Sequence, residues 1–131
     1  MRGYRLYDYI DYRGVNQFEN WTKGLDKGYR GRLNRKLKAL EDNEPDLLPG
    51  LISGPITGHA HIYKIKLGGR LALRPLLCKG PINNKSELTL LMGAVEKGFR
   101  WEPRNAPETA ERLRQEIIDN PQRRCDHVKV L

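Results

Sequence analysis

Residues 62–79 hold two strand-like runs that flank a Gly68-Gly69 pair. Glycine pairs tolerate the positive φ angles of tight turns, so this segment predicts a β-hairpin. Successive side chains of a strand point to opposite faces. One predicted face carries Tyr63, Ile65, Leu67, Leu71, Leu73, Pro75 and Leu77, and the other carries Ile62, Lys64, Lys66, Arg70, Ala72, Arg74, Leu76 and Cys78. The second face would suit a phosphate backbone, but a solvated outer face would present its cations in the same way.

The composition indicates one domain that spans residues 1–131 and binds a polyanion. A chain of 131 residues can bury a core without disulfides or metal. Its formal net charge of +8 favours a nucleic acid, an acidic membrane surface or an acidic protein as the partner. Two cysteines and three histidines form no recognisable zinc pattern, so we expect neither a metal nor another cofactor. Cys78, inside a predicted strand, should behave as a small apolar residue.

The first residues of the chain alternate polar and apolar side chains and lack the apolar core of a signal peptide. No stretch of the sequence is apolar over the length that a membrane span needs. We therefore expect a cytoplasmic protein with no membrane partner.

Periodicity predicts an α+β domain. The expected elements, in order, are a strand at 3–12, a helix capped by Asn16, a helix at 29–42, the hairpin at 62–79, an apolar central strand at 88–95, and a helix that opens at Asn105 or Pro107 and ends at Pro121. Pro45, Pro49 and Gly50 end the unit formed by the first two helices. This order favours a small, twisted, antiparallel-rich sheet of about four strands, packed by two N-terminal helices and a C-terminal helix. Residues 119–131 are predicted to be a loosely attached basic tail.

The cations of the hairpin are of the kind that metal-independent RNA cleavage requires. For such cleavage, a protein must hold the scissile phosphate and align the neighbouring 2′-hydroxyl for in-line attack. It must also neutralise the charge that develops on the phosphoryl oxygens. Lys64, Lys66 and Arg74 could supply these electrostatic roles. His59 and His61, just before the lysines, could supply a base or could be ordinary surface or core-edge residues.

Aromatic and basic residues elsewhere extend this candidate RNA surface. Phe99, Trp101 and Tyr63 are candidates for stacking on bases, although packing explains Tyr63 better. The basic face of the second predicted helix, which includes Arg35 and Lys38, could follow a phosphate backbone. It could equally be a solvated face or contact an acidic protein.

The element order, the YKIKL motif in the second strand, Arg74 in the next strand and a basic segment after the last strand resemble the RelE/HigB superfamily of bacterial toxins. The resemblance covers Tyr4 to about Ile118 and rests on short motifs. It implies a metal-independent, ribosome-dependent endoribonuclease that cleaves messenger RNA in the decoding site of the 30S subunit. It also implies a cognate antitoxin that inactivates the toxin and often represses the shared operon by binding operator DNA.

The resemblance further implies roles for individual residues. Lys64 and Lys66 match strand lysines with base and electrostatic roles, and Arg74 matches the arginine that contacts the scissile phosphate. Because the hairpin is about one residue longer than in the family prototype, Arg70 competes with Arg74 for this position. Together with the residues above, the candidate catalytic set is Lys64, Lys66, Arg74 and Arg100, and the RNA-binding set is Lys97, Trp101, His61, Arg70, Arg35 and Lys38.

The chain departs from the family pattern after its last predicted strand. Gly98 follows Lys97 where the prototype has an arginine, and no tyrosine matches the prototype's later, substrate-contacting tyrosine. The alternative is therefore a protein that has the fold without the chemistry. It would be a non-catalytic or gyrase-targeting binding protein of phage or mobile-element origin, since the superfamily includes gyrase-targeting toxins and phage-encoded relatives of unknown activity.

Overall fold

The computed structural model describes residues 3–44 and 49–131, and within them the chain forms three helices and a mixed six-stranded sheet. The strands are β1 Arg5–Tyr9, β2 Tyr63–Lys64, β3 Leu73–Lys79, β4 Glu87–Lys97, β5 Arg100–Glu102 and β6 Arg124–Asp126, and the helices are α1 Gln17–Lys23, α2 Lys27–Asp42 and α3 Ala106–Asp119. The strand order is β2-β3-β4-β1-β6, and β5 pairs with β4. β1 runs parallel to β4, whereas the other paired strands are antiparallel.

The predicted α+β class is confirmed, and the three helices lie close to their predicted positions. Asn16 caps α1, because its side-chain Oδ1 accepts a hydrogen bond of 2.9 Å from the backbone N–H of Glu19. Pro45, part of the predicted boundary after α2, lies outside the described residues. No helix within residues 3–44 and 49–131 combines the length and the apolar character that crossing a bilayer requires.

The sheet is buried on both faces, as the apolar central strand predicts. α1 and α2 cover one face, where Phe18, Leu33 and Leu37 pack against Leu77 and Leu88 of the sheet. The helical stripe at 3.6-residue spacing therefore forms this core as expected. We call this side of the sheet the α1/α2 face.

α3 covers the opposite side, which we call the α3 face. Its Ile117 belongs to a core with Ile62, Leu76, Cys78 and Leu91 of the sheet. Burial raises the pKa of the Cys78 thiol to about 12, so this cysteine is an apolar core residue, as predicted. The hairpin face that carries the cations is therefore also an apolar core where α3 covers it.

The predicted hairpin forms, although only Tyr63–Lys64 is a regular strand in its first arm. Leu67 bridges Leu73 at the far end, so the connection is longer than the two-residue turn that the glycine pair predicts. α2 holds this connection in place, because the backbone N–H of Leu71 donates a hydrogen bond of 3.1 Å to the Tyr29 hydroxyl. The side-chain alternation predicted for the hairpin is preserved on both faces.

The C-terminal residues are part of the sheet, so the prediction of a loosely attached tail at 119–131 is wrong. β6 pairs antiparallel with β1. Arg124 donates two hydrogen bonds of 3.2 Å to the Glu87 carboxylate, and the two side chains are only 11% and 12% exposed. The prediction fails because polar groups make this attachment, and they leave no apolar periodicity in the sequence.

A buried carboxylate anchors the segment after β6. Asp8 is fully buried in β1 and accepts hydrogen bonds from the Asn16 side-chain amide at 2.8 Å and from the Val128 backbone N–H at 3.0 Å. His127 Nδ1 lies 2.8 Å from its other oxygen. The end of the chain is thus tied to β1 and to the N-terminus of α1 through one polar cluster.

We predict that Arg124→Gln lowers the free energy of unfolding by about 2 kcal/mol, because the largely buried Glu87 carboxylate loses its charged partner and keeps only neutral donors such as the Asn83 backbone N–H. Urea unfolding at neutral pH measures the change. Lys129→Gln is the matched control: it removes one exposed charge near the same end of the chain and should change stability by less than about 0.5 kcal/mol. Equal unfolding midpoints for the two variants would contradict the integral role of β6.

Candidate functional site

Two cations of the hairpin meet a carboxylate on the α3 face. Lys64 Nζ lies 2.9 Å and 3.0 Å from the two carboxylate oxygens of Glu96, and Arg74 Nε donates to one of the same oxygens at 2.8 Å. The side chains of Lys64, Arg74 and Glu96 are 17%, 13% and 24% exposed, so all three are largely removed from solvent. We refer to these three residues as the Glu96 cluster.

A β-bulge in β4 brings Glu96 to this face. The register between β3 and β4 shifts between Leu76 and Leu77, which leaves Leu91 as an extra residue in β4. Without the extra residue, strict alternation would place Glu96 on the side of Leu90, which packs towards α1 and α2. Strand alternation in the sequence therefore does not reveal Glu96 as a residue of this site. The one available signal was a single acidic residue at the end of an apolar run.

The pKa of Glu96 reflects two opposing effects. Burial raises it, but the hydrogen bonds from Lys64 and Arg74 outweigh burial and hold it below the ordinary value of 4.5. Glu96 is therefore ionised at neutral pH. Two cations and one anion leave the cluster with a single net positive charge.

An open cavity of about 390 Å³ lies over the cluster. Lys64 and Glu96 line it on the sheet side, and the loop 53–57 lines it on another. Ser53 and Lys64 exchange two backbone hydrogen bonds, of 2.8 Å and 2.9 Å, which hold this loop against β2. Lys66 also lines the cavity, is exposed, and forms no ion pair with any acidic side chain in the described part of the chain.

Two of the predicted aromatic residues line this cavity, in different environments. Phe99 is fully exposed in the turn between β4 and β5, where Gly98 has a φ of +61°. Trp101 is partly buried against the α3 core, and Lys64 Nζ lies 5.5 Å from the centre of its ring. Phe99 is therefore the accessible stacking surface, whereas the Trp101 ring positions the Lys64 ammonium.

Three other predicted residues are exposed on the hairpin connections. Lys97 and Arg100 flank the turn between β4 and β5, and Lys97 forms an ion pair with Glu102. Arg70 is exposed in the connection between β2 and β3. Arg74, rather than Arg70, is the arginine that the structure places beside the hairpin lysine Lys64.

The rest of the predicted set lies elsewhere. Arg35 and Lys38 belong to α2, which covers the opposite face of the sheet, and Lys38 pairs with its helical neighbour Asp42 at 3.0 Å. His61 lines a different pocket, and His59 contacts acidic residues of α3. Neither predicted histidine lines the cavity over the Glu96 cluster.

The cavity offers one carboxylate, the two lysines Lys64 and Lys66, and an exposed ring. The cations can bind a phosphate group, and the ionised Glu96 can accept a proton. Across residues 3–44 and 49–131, no group of three or more His, Cys, Asp or Glu side chains is placed to hold a metal ion. Comparisons of the chain with protein-family models, with curated proteins and with solved structures gave no match.

We predict that Glu96→Gln lowers the free energy of unfolding at pH 7 by about 2 kcal/mol, because Lys64 and Arg74 lose a charged acceptor. The lowered pKa of Glu96 means that its contribution is present above the ordinary value of 4.5 and is lost as the pH falls below it. The stabilities of wild type and variant should therefore converge in acid.

Urea unfolding at a series of pH values measures this convergence. Glu102→Gln removes an exposed carboxylate from the neighbouring strand and should follow the wild type within about 0.5 kcal/mol. A stability difference for Glu96→Gln that stays constant from neutral pH into acid would contradict the electrostatic role of the carboxylate.

Proposed function

We propose that this chain is a ribosome-dependent endoribonuclease with a RelE-like fold, the toxin component of a toxin–antitoxin pair. One observation carries the proposal: Lys64 and Glu96 line an open cavity together with Lys66, which has no acidic partner among the described residues, and Arg74 is hydrogen-bonded to Glu96. The sequence resemblance adds the decoding site of the 30S subunit as the place of cleavage, a cognate antitoxin as partner, and operator DNA as a target bound through the antitoxin. Cleavage on the ribosome places the protein in the cytoplasm.

Substrate binding begins with the charges of the cavity. Lys66 contacts the scissile phosphate first, because no acidic side chain among the described residues neutralises it. Arg74 and Lys64 are then shared between the phosphate and Glu96, with charge-assisted hydrogen bonds to both anions. Their positions are already set by the cluster, so little side-chain ordering remains to be done when RNA binds.

Phosphate binding changes the basicity of Glu96. In the free protein Lys64 and Arg74 hold its pKa low, which makes the carboxylate a weak base. A phosphate that competes for both cations, and places negative charge nearby, raises the pKa of Glu96 towards the working pH. The general base is therefore strengthened by the substrate itself.

Cleavage then proceeds by transfer of the phosphoryl group within the RNA. Glu96 accepts the proton of the 2′-hydroxyl while the 2′-oxygen attacks the phosphorus in line. The 5′-oxygen leaves and takes a proton from the Lys66 ammonium, and a 2′,3′-cyclic phosphate remains on the upstream fragment. Arg74 and Lys64 stabilise the charge that develops on the phosphoryl oxygens. Phe99 stacks on an unpaired base beside the cavity.

A second candidate function follows from the neutralisation of two cations. Because Glu96 already holds Lys64 and Arg74, the cluster can act as a structural element of a non-catalytic binding protein. The resemblance suggests gyrase as the target of such a protein. The two candidates differ in the fate of messenger RNA after expression.

We predict that expression in a bacterium produces codon-associated cuts in translated messages, detected by mapping transcript 5′ ends. Arg74→Ala and Glu96→Gln should lower the cleavage rate by about 100-fold or more, because each removes charge stabilisation or the proton acceptor. Lys129→Ala, at a distant exposed position, should cleave like the wild type.

Circular dichroism of each purified variant shows whether it is folded. Cuts that persist at the wild-type rate in folded Arg74→Ala and Glu96→Gln proteins would contradict the Glu96 cluster as the active site, and intact messages after wild-type expression would contradict the nuclease assignment. Growth arrest with DNA damage and intact messages would favour the gyrase-binding alternative.

We also predict that Phe99→Ala weakens binding of a single-stranded RNA with a non-cleavable 2′-O-methyl backbone by about tenfold, since stacking on one base contributes roughly 1–3 kcal/mol. Fluorescence anisotropy measures the affinity. Phe99→Trp, which keeps an aromatic ring, should bind like the wild type, and neither change should alter the unfolding midpoint because the ring is exposed. Equal affinities of all three proteins would show that the ring does not contact RNA.

A further inference from the structure

A second cationic pocket lies at the β2 edge of the sheet. It has a volume of about 150 Å³ and is lined by His61, Tyr63, Lys79, Asn84 and Arg114. These residues come from β2 and the loop before it, the end of β3, the turn before β4, and α3. None of them lines the cavity over the Glu96 cluster, so the two sites are distinct.

The second pocket differs from the first cavity in how its charges are paired. In the described part of the chain, no acidic side chain forms an ion pair with His61, Lys79 or Arg114. In the first cavity, by contrast, Glu96 forms an ion pair with Lys64, and Lys66 is the lining cation without an acidic partner among the described residues. Free positive charge is therefore concentrated at the second pocket.

Arg114 is the permanent cation that α3 contributes to this pocket. Its Nε is buried and has no hydrogen-bond partner among the described residues, and no acidic side chain pairs with the guanidinium there. The charge of the guanidinium is therefore available to an oxyanion in the pocket. Lys79 Nζ is held 4.9 Å from the centre of the Tyr63 ring, which keeps the ammonium beside the pocket.

The size of the pocket limits what it can bind. A volume of about 150 Å³ lies below the range of about 300–1,000 Å³ that is typical of sites for whole small molecules. Two permanent cations, an imidazole and a side-chain amide in this space suit one tetrahedral oxyanion with several acceptor oxygens. The chemistry therefore points to a single phosphate group.

We propose that this pocket is a second phosphate subsite, which binds a backbone phosphate of the RNA strand whose scissile phosphate lies at the Glu96 cluster. The identity of the strand rests on the proposed function. Residues 61–66 connect the two sites and span at most about 18 Å, a distance that a few nucleotides of single-stranded RNA cover. The subsite would fix the register of the strand relative to the cleavage site.

The salt dependence of RNA binding tests the subsite. With a non-cleavable 2′-O-methyl RNA, Lys79→Gln and Arg114→Gln should each reduce the slope of log K against log salt, by up to the value of about 0.7 that one phosphate contact contributes. Lys129→Gln removes the same charge beyond β6, at the opposite edge of the sheet from β2, and should leave the slope unchanged. If the two pocket variants have the same slope as Lys129→Gln, the proposal is overturned.

Titration of the wild-type protein with inorganic phosphate, followed by the NMR signal of the Arg114 Nε–H group, tests the pocket without RNA. A shift of this signal that is lost in Lys79→Gln supports a phosphate site at these residues. If phosphate shifts the Arg114 signal but the pocket variants leave the salt slope of RNA binding unchanged, the pocket binds only free anions. That result overturns the RNA subsite and does not affect the nuclease proposal.

The two proposals can fail separately. If expression of the wild-type protein leaves messages intact, the nuclease proposal fails, while reduced slopes for Lys79→Gln and Arg114→Gln would still support an RNA phosphate subsite. Lys79 is exposed, so its substitution remains informative even if Arg114→Gln does not fold. Arg114→Lys keeps the charge and should retain the wild-type slope.

Discussion

β4 pairs with β3, β1 and β5, and both helical layers pack against it, so its residues shape the two cores and the charged site together. Leu88 and Leu90 point to α1 and α2, whereas Leu91 and Ala94 point to α3. The bulge at Leu91 reverses the alternation in the second half of the strand. As a consequence Glu96 emerges beside the hairpin cations, and a carboxylate becomes the centre of the candidate site.

Only some cations of this basic chain have an acidic partner among the described residues. Glu96 orders a lysine and an arginine of the hairpin, and Glu87 orders Arg124 at the junction of β4, β1 and β6. Other cations, Lys66 and Arg114 among them, have no acidic partner in the described residues. The paired cations have fixed positions, whereas the described residues leave the unpaired ones without a countercharge. Under the proposed function, the paired cations would hold a phosphate in one geometry and the unpaired ones would attract the RNA.

Much of the fold could be predicted because its signals are local. The cap at Asn16, the apolar stripe of α2 and the alternation of the hairpin each depend on residues a few positions apart. The short strands β5 and β6 could not be predicted in this way. Arg124–Asp126 is polar and brief, and it pairs because β1 offers a free edge and Glu87 a buried partner.

For the candidate site, the sequence by itself determined that Lys64 and Arg74 share one face, because strand alternation follows from backbone geometry alone. It also determined the α+β class and the excess of positive charge. Only the tertiary structure decided that both cations meet Glu96, which lies 32 and 22 positions away in the chain, and that His61 belongs to another pocket. One extra residue in β4 moves Glu96 to the opposite face of the sheet. Contacts between distant strands and helices decide which charges are paired. Neither the face of Glu96 nor the pairing of the charges is therefore encoded in a local sequence pattern.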